Sequence, residues 1–181
     1  MHPVKIQCGA LLIEDAMNPK LTEIDIHGIE SRMMTIKRFG GHPRALDVMQ
    51  HSKLVERMAT VEDAHAMLPH EMADAIIRWA KHHDYHEGIT GDIIGPMKTL
   101  IGQETDIIRR LEETLDRAIC EKLGFLYPGP RVHQIVHVID KAAETLEWVF
   151  AMGQELASWN HPVHPVHWKE GAELIRWAQM Q

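Results

Sequence analysis

Cysteine, long apolar runs and basic charge are all scarce in this chain of 181 residues, and each scarcity excludes a class of protein. Cys8 and Cys120 are its two cysteines, and they stand far apart in no metal-binding or redox spacing. That pattern excludes a disulfide scaffold and favours a cytoplasmic protein. The N-terminal apolar run from Cys8 to Ile13 is too short for a signal-peptide core or a membrane span, so we expect no membrane partner.

Acidic residues outnumber basic ones, with 26 Asp and Glu against 19 Lys and Arg, a formal net charge of −7. A nucleic-acid-binding protein normally carries a basic excess or a basic stripe, so we expect no nucleic-acid partner. An anionic substrate would need a local positive centre, such as a metal ion with a few basic side chains. Histidine is unusually frequent, with 14 copies, and it is a common metal ligand and proton carrier.

Apolar residues recur with the helical period, which predicts a single all-α domain over residues 1–181, folded as a compact helical bundle. The clearest predicted helices run from Asp47 to Ala59, His70 to Asp84, Thr105 to Leu123 and Val132 to Met152. Further helices are predicted from Ile29 to Arg38 and from Trp168 to Gln179. Two β-like runs, Ala10 to Ile13 and Leu21 to Ile26, predict a short N-terminal hairpin.

A Pro-His-rich stretch precedes the last predicted helix. Its residues His161, His164 and His167 invite a metal-binding interpretation. However, Pro162 and Pro165 keep the stretch extended, and no carboxylates accompany the histidines. We therefore interpret it as a solvated turn.

Four polar residues fall on the apolar faces of the predicted helices: His51, His83, Asp84 and Asp140. A buried carboxylate without a partner is costly or takes up a proton. Two interpretations stay open: each residue is satisfied separately by its own hydrogen bonds, or all four converge on one cation. The adjacent pair His83-Asp84, taken with the other two residues, favours the cation.

Consecutive helical residues point about 100° apart, so they rarely bind the same ion except where a helix ends. Gly88 and Gly91 follow His83-Asp84 within eight residues, which predicts a helix end nearby. Two nitrogen and two oxygen ligands leave room for water around a first-row divalent ion. An open coordination position is typical of a catalytic site.

Three short runs resemble one known family: Arg38-Phe-Gly-Gly-His42, Gln50-His51-Ser52, and His83-Asp-Tyr-His-Glu-Gly-Ile-Thr-Gly-Asp-Ile-Ile-Gly-Pro-Met-Lys98. They are similar to the HD-domain 5′-deoxynucleotidases, closest to the small bacteriophage branch that includes the dATP triphosphohydrolases. The recognisable core covers about residues 24–144, which leaves residues 145–181 as a C-terminal helical extension.

The resemblance implies a role for each matching residue. It makes His51, His83, Asp84 and Asp140 the metal ligands, with Asp116 as a rival to Asp140. It makes Glu87 the catalytic acid, which would orient water or protonate the leaving oxygen, and it puts Asp92 near the substrate as a second catalytic candidate. The implied substrate-binding residues are Arg38, Phe39, His42, His86 and Lys98.

The implied activity is hydrolysis of the 5′-phosphoester of a 2′-deoxynucleotide, which releases the deoxynucleoside with phosphate or triphosphate. The implied cofactor is Mn, Co, Ni, Fe or Zn, with additional Mg or Co for a triphosphate substrate. We also expect a homo-oligomer. Two alternatives are kept: an HD phosphodiesterase acting on a cyclic or hyperphosphorylated nucleotide, and a non-catalytic, metal-stabilised binding module.

Overall fold

The computed structural model describes residues 3–60, 68–156 and 170–181. It is mostly helical, with one short antiparallel hairpin near the N-terminus, which confirms the predicted all-α class and the hairpin. The strands are β1 (Ile6–Cys8) and β2 (Leu11–Ile13). The helices are α1 (Ile26–Met33), α2 (Arg38–Gly41), α3 (Val48–Ala59), α4 (His70–His82), α5 (Glu87–Thr90), α6 (Gly95–Glu104), α7 (Ile107–Lys122), α8 (Pro130–Leu146) and α9 (Gly171–Gln179).

The four helices with the clearest period are confirmed, with ends that local chemistry explains. Asp47 caps α3 instead of belonging to it, because its carboxylate accepts the backbone N–H of Gln50 at 2.8 Å. Pro130 opens α8, where its missing N–H costs nothing. The helix predicted as far as Met152 changes after Leu146 into a π-helical turn, Glu147–Ala151. The sequence did not predict α6, whose apolar residues form no clear stripe.

The predicted hairpin partner from Leu21 to Ile26 was wrong. β2 pairs instead with β1, with Cys8 opposite Leu11 across the two-residue loop Gly9-Ala10. Gly9 takes a positive φ of 57°, which glycine adopts without steric cost. Leu21–Glu23 forms a single 3-10 turn.

The chain forms two compact units, and each is built from two separate stretches. The first unit comprises Met1–Gly41 and Asp84–Tyr127. In it, α5 packs against α1 so closely that a Cβ on Gly88 would lie 2.7 Å from Ile29 Cγ2. Tyr85 stands two residues before α5, and its ring is buried. Its hydroxyl donates to the Glu30 carboxylate of α1 at 2.9 Å. These contacts fix the segment that carries His86 and Glu87.

The second unit comprises His42–His83 and Pro128–Gln181, and its described part is a bundle of α3, α4, α8 and α9. Most of the apolar residues that the helical period predicts to face inward are buried in the bundle core: Val48, Val55, Met58, Ile76, Ala80, Val132, Val136, Ile139, Ala143 and Leu146. The others of that set are half-buried: Ala73, Ile77, Ile135 and Phe150. α9 approaches α8 closely at Gly171, where a Cβ would meet the side chains of Phe150 and Leu146. This bundle holds three of the residues predicted to bind metal.

Three further findings concern the remaining predictions. Among the described residues, no helix combines the length and the apolar character needed to cross a bilayer. Cys8 and Cys120 are buried free thiols. The interpretation of His161, His164 and His167 as a solvated turn lies outside the described residues, and so does the start of the helix predicted at Trp168.

Candidate functional site

Two histidines and an aspartate from three helical segments meet inside the second unit. His51 lies on α3, Asp140 lies on α8, and His83 is the residue at which α4 ends. His51 is fully buried, while His83 and Asp140 are nearly so. We call these three residues the His–Asp centre.

The carboxylate of Asp140 is the meeting point of the His–Asp centre. Its Oδ1 lies 3.0 Å from His51 Nε2 and 3.7 Å from His83 Nε2. One potential ligand atom from each of the three residues falls within 4.8 Å of the others. Burial alone would raise the pKa of Asp140, but the hydrogen bond from His51 and the nearby His83 imidazole hold it well below its usual value. Asp140 is therefore a carboxylate anion with two imidazole nitrogens close to one of its oxygens.

In both rings Nε2 points toward Asp140, and Nδ1 lies near a second acceptor. His83 Nδ1 lies 2.8 Å from the backbone carbonyl oxygen of Ala80, to which it donates. His51 Nδ1 lies 3.4 Å from Oε2 of Glu147. Carbonyl or carboxylate partners on the second ring nitrogen are the usual arrangement around metal-binding histidines. The donor set of two imidazole nitrogens and one carboxylate oxygen fits a first-row divalent ion.

The first unit contains a cluster of charged residues, some buried and some half-buried, around Glu87. His86 Nδ1 lies 2.9 Å from Asp116 Oδ1, and both residues are buried. Lys98 Nζ lies 2.9 Å from Glu112 Oε1 and 3.6 Å from Glu87 Oε1. We call Asp84, His86, Glu87, Lys98, Glu112 and Asp116 the Glu87 cluster.

The cluster changes the acid–base behaviour of its members. Burial, followed by the charge of Asp84, raises the pKa of Glu87 to about 7. Burial alone would lower the pKa of His86, but the charge and hydrogen bond of Asp116 outweigh it and raise the pKa to about 9. A carboxyl group with a pKa near neutrality can both give and take a proton at physiological pH.

Two neighbouring residues of the cluster have polar atoms with unmet hydrogen-bonding capacity. Glu87 Oε2 and His86 Nε2 are buried, and within the described residues neither has a hydrogen-bond partner. The nearest ion-pair partner of His86 Nε2 is Glu112 Oε1, at 3.6 Å. Buried atoms of this kind require an explanation in a stable fold, and a bound ligand is one.

Asp84, the fourth predicted ligand, belongs to the first unit, since the boundary between the units falls after His83. There its Oδ2 accepts from the Arg38 guanidinium at 3.1 Å, and Arg38 is itself buried. The structure therefore brings His51, His83 and Asp140 together, and it joins Asp84 to Arg38. The rival ligand Asp116 contacts His86, whereas Asp140 contacts both histidines.

The other predicted substrate-binding residues have mixed positions. Phe39 is half-buried in a left-handed turn, with φ 53° and ψ 45°, and the Arg38 guanidinium lies 5.8 Å from its ring centroid. His42 lies in the second unit and accepts the Arg44 backbone N–H through Nδ1 at 3.3 Å. Asp92 is half-buried, and its Oδ2 has no hydrogen-bond partner in the described part of the chain.

Sequence reasoning missed two acidic residues that hold the predicted site residues. Glu147 faces His51, and its position seven residues after Asp140 repeats the same helix face. Glu112 contacts Lys98 and precedes Asp116 by four residues on α7. In both cases the spacing from a candidate residue was the available signal.

No protein-family model and no curated protein matches this sequence.

Proposed function

We propose that this protein is a divalent-metal-dependent phosphohydrolase that cleaves the 5′-phosphoester of 2′-deoxynucleotides. The observation that carries the proposal is the approach of two imidazole Nε2 atoms to one carboxylate oxygen, at 3.0 and 3.7 Å. His51, His83 and Asp140 would hold the metal. The resemblance adds Asp84, which directly follows His83 in the chain.

A divalent ion bound there would polarise the phosphoryl group and make water a better nucleophile at neutral pH. The reaction adds water at phosphorus, breaks the bond to the ribose 5′-oxygen and transfers a proton to that oxygen. The products are the deoxynucleoside and either phosphate or triphosphate.

Glu87 is the residue we assign to the proton transfer. Its pKa of about 7 means that both protonation states are populated near neutral pH. Its Oε2 is buried and has no hydrogen-bond partner among the described residues, so it can donate a proton to a leaving oxygen or accept one from water. Asp92 is the second acidic candidate, because its Oδ2 is also buried without a hydrogen-bond partner among the described residues.

Lys98, His86 and Arg38 are the residues we assign to the charge on the phosphate oxygens. Each is held by a carboxylate of the first unit, at 2.9, 2.9 and 3.1 Å respectively. These pairs fix the cations before a substrate arrives, so less ordering is needed on binding. They also reduce the net positive charge, which favours substrates that bring a metal ion with the phosphate.

A product-resolved assay on deoxynucleoside mono- and triphosphates, with and without a chelator, tests the proposal. We expect nucleoside release that stops when the metal is removed. Metal binding without turnover on any nucleotide would support the metal-stabilised binding module. Turnover restricted to cyclic or hyperphosphorylated nucleotides would support the phosphodiesterase.

The cellular setting is proposed with the activity. We propose a cytoplasmic protein, because the free thiols of Cys8 and Cys120 match a reducing compartment. We also propose a homo-oligomer. Several large apolar side chains are exposed in this single chain, among them Leu100 and Val138, and light scattering on the purified protein checks the assembly.

A further inference from the structure

Glu147 is a fully buried carboxylate for which the proposed reaction gives no role. It begins the π-helical turn that follows α8. Its Oε1 accepts the backbone N–H of Leu46 at 2.7 Å, and its Oε2 lies 3.4 Å from His51 Nδ1. Burying a carboxylate is costly unless its charge is compensated. Here one oxygen accepts a backbone hydrogen bond, and the other lies within ion-pair distance of an imidazole nitrogen.

The two contacts together determine how the His51 ring carries its proton. The backbone N–H of Leu46 can only donate, so Oε1 of Glu147 must accept. Oε2 is then a second acceptor, and it faces His51 Nδ1. When a cation occupies the centre, this arrangement favours the ring form with the proton on Nδ1, whose Nε2 lone pair binds the cation. Without a cation, Nε2 carries a proton and donates to Asp140. Nε2 is the atom that lies 3.0 Å from Asp140.

We propose that Glu147 is a positioning residue for the His–Asp centre, which fixes His51 in the form whose Nε2 can bind a divalent cation. The inference rests on the proposed metal site. His83 is fixed in the same way by the carbonyl of Ala80, a backbone group that no substitution removes. Glu147 is therefore the partner that mutation can test. Its location agrees with the frequent occurrence of π-helical turns at functional sites.

Glu147→Gln is the sharpest test, because it keeps the shape and reverses one hydrogen bond. The amide oxygen would take the Leu46 N–H, which leaves the NH₂ group to donate toward His51 Nδ1. That favours a proton on Nε2, where it blocks a metal. We expect zinc affinity, measured by competition with a chromogenic chelator, to fall about 10–100-fold. The matched control is Glu173→Gln, the same change at an exposed position of α9 in the same unit, which should leave affinity unchanged.

Unchanged zinc affinity in Glu147→Gln, with tight binding by the wild type, overturns this inference and leaves the proposed function standing. An equal loss in Glu173→Gln also overturns it, because the effect would then be general electrostatics. Absence of zinc binding by the wild type overturns both. Thermal unfolding of the chelator-treated variants shows whether each folds. If Glu147→Gln does not fold, the proton NMR spectrum of the zinc-loaded wild type is the deciding measurement. A downfield signal from the His51 Nδ1 proton supports donation to Glu147, and the absence of that signal contradicts the inference.

Discussion

His86 and Asp116 form a buried ion pair in which Nδ1 of the imidazole lies 2.9 Å from Oδ1 of the carboxylate. His86 directly precedes α5 and Asp116 lies on α7, so the pair links two helices of the first unit. Removing one partner leaves the other buried without its counter-charge, which is more costly than removing both.

We therefore expect Asp116→Ala to lower the free energy of unfolding by about 3 kcal/mol. The double variant His86→Ala/Asp116→Ala should lose less than the sum of the two single variants, because the residues share one interaction. Urea unfolding followed by circular dichroism measures all four proteins. Additive losses would show that the pair contributes no coupling energy.

Metal binding is predicted to depend on the His–Asp centre. The wild type should hold one divalent ion per chain, and His83→Ala and Asp140→Asn should each lose it. Asp116→Asn is the control, since Asp116 contacts His86 and not the centre. Metal analysis after gel filtration provides the measurement. Full occupancy in both variants contradicts the assignment, and retention in Asp140→Asn alone would make Asp116 the candidate ligand.

Glu87→Gln is expected to keep the fold and the metal but to lose most of the turnover. Acid–base groups of this kind typically contribute about 10²- to 10⁴-fold in rate. The matched control is Glu113→Gln, the same change on the more exposed side of α7. Steady-state rates on a deoxynucleotide, with metal content measured in parallel, check the outcome. A rate within a few-fold of the wild type would remove Glu87 from the reaction.

The raised pKa of Glu87 also predicts how stability depends on pH. A carboxyl group whose folded pKa lies above its unfolded value favours the folded state only while it is protonated. Its contribution is complete below the ordinary value of 4.5 and is lost as pH rises to about 7. Relative to Glu87→Gln, the chelator-treated wild type should therefore lose stability across this interval and then level off. A constant difference in unfolding free energy from pH 4.5 to 8 would contradict the shift.

Sugar selectivity is predicted to involve Phe39. We expect the wild type to prefer deoxyribonucleotides over matched ribonucleotides by up to about 10²-fold, and Phe39→Ala to reduce this ratio. An aromatic face can pack against a sugar or a base, and the Phe39 ring is half-buried, so part of it stays exposed. Chromatography of the products measures the ratio. Accumulation of a nucleoside diphosphate from a triphosphate would contradict cleavage at the 5′-oxygen.

The sequence predicted the helices that carry the His–Asp centre because their apolar residues repeat every three or four positions. The same period marked His51 and Asp140 as inward-facing, and the structure places both beside His83. The helical period does not report which buried groups pair with each other. The contacts of His86 with Asp116 and of Lys98 with Glu112 join residues far apart in the chain, so only the folded structure reveals them.

The hairpin error has a comparable cause. The run from Leu21 to Ile26 has β-like composition, but the Asp25 carboxylate accepts the backbone N–H of Gly28 at 3.0 Å and starts α1 there. A capping hydrogen bond over three residues thus outweighed the local preference for a strand. α6 was missed because the sequence gives it no apolar stripe from which a helix is predicted.

Gly9 and Gly28 approach each other so closely that a Cβ on Gly9 would lie 2.6 Å from the Cα of Gly28. The hairpin thus sits against the start of α1 through two positions that carry no side chain. Even alanine at either position would push the two segments apart. In any set of related sequences, these positions should therefore behave as a linked pair, both glycine where this N-terminal arrangement is kept and both free to vary where it is lost. Such covariation would trace how the N-terminal segment was gained or discarded, independently of any change in the residues proposed to carry the chemistry.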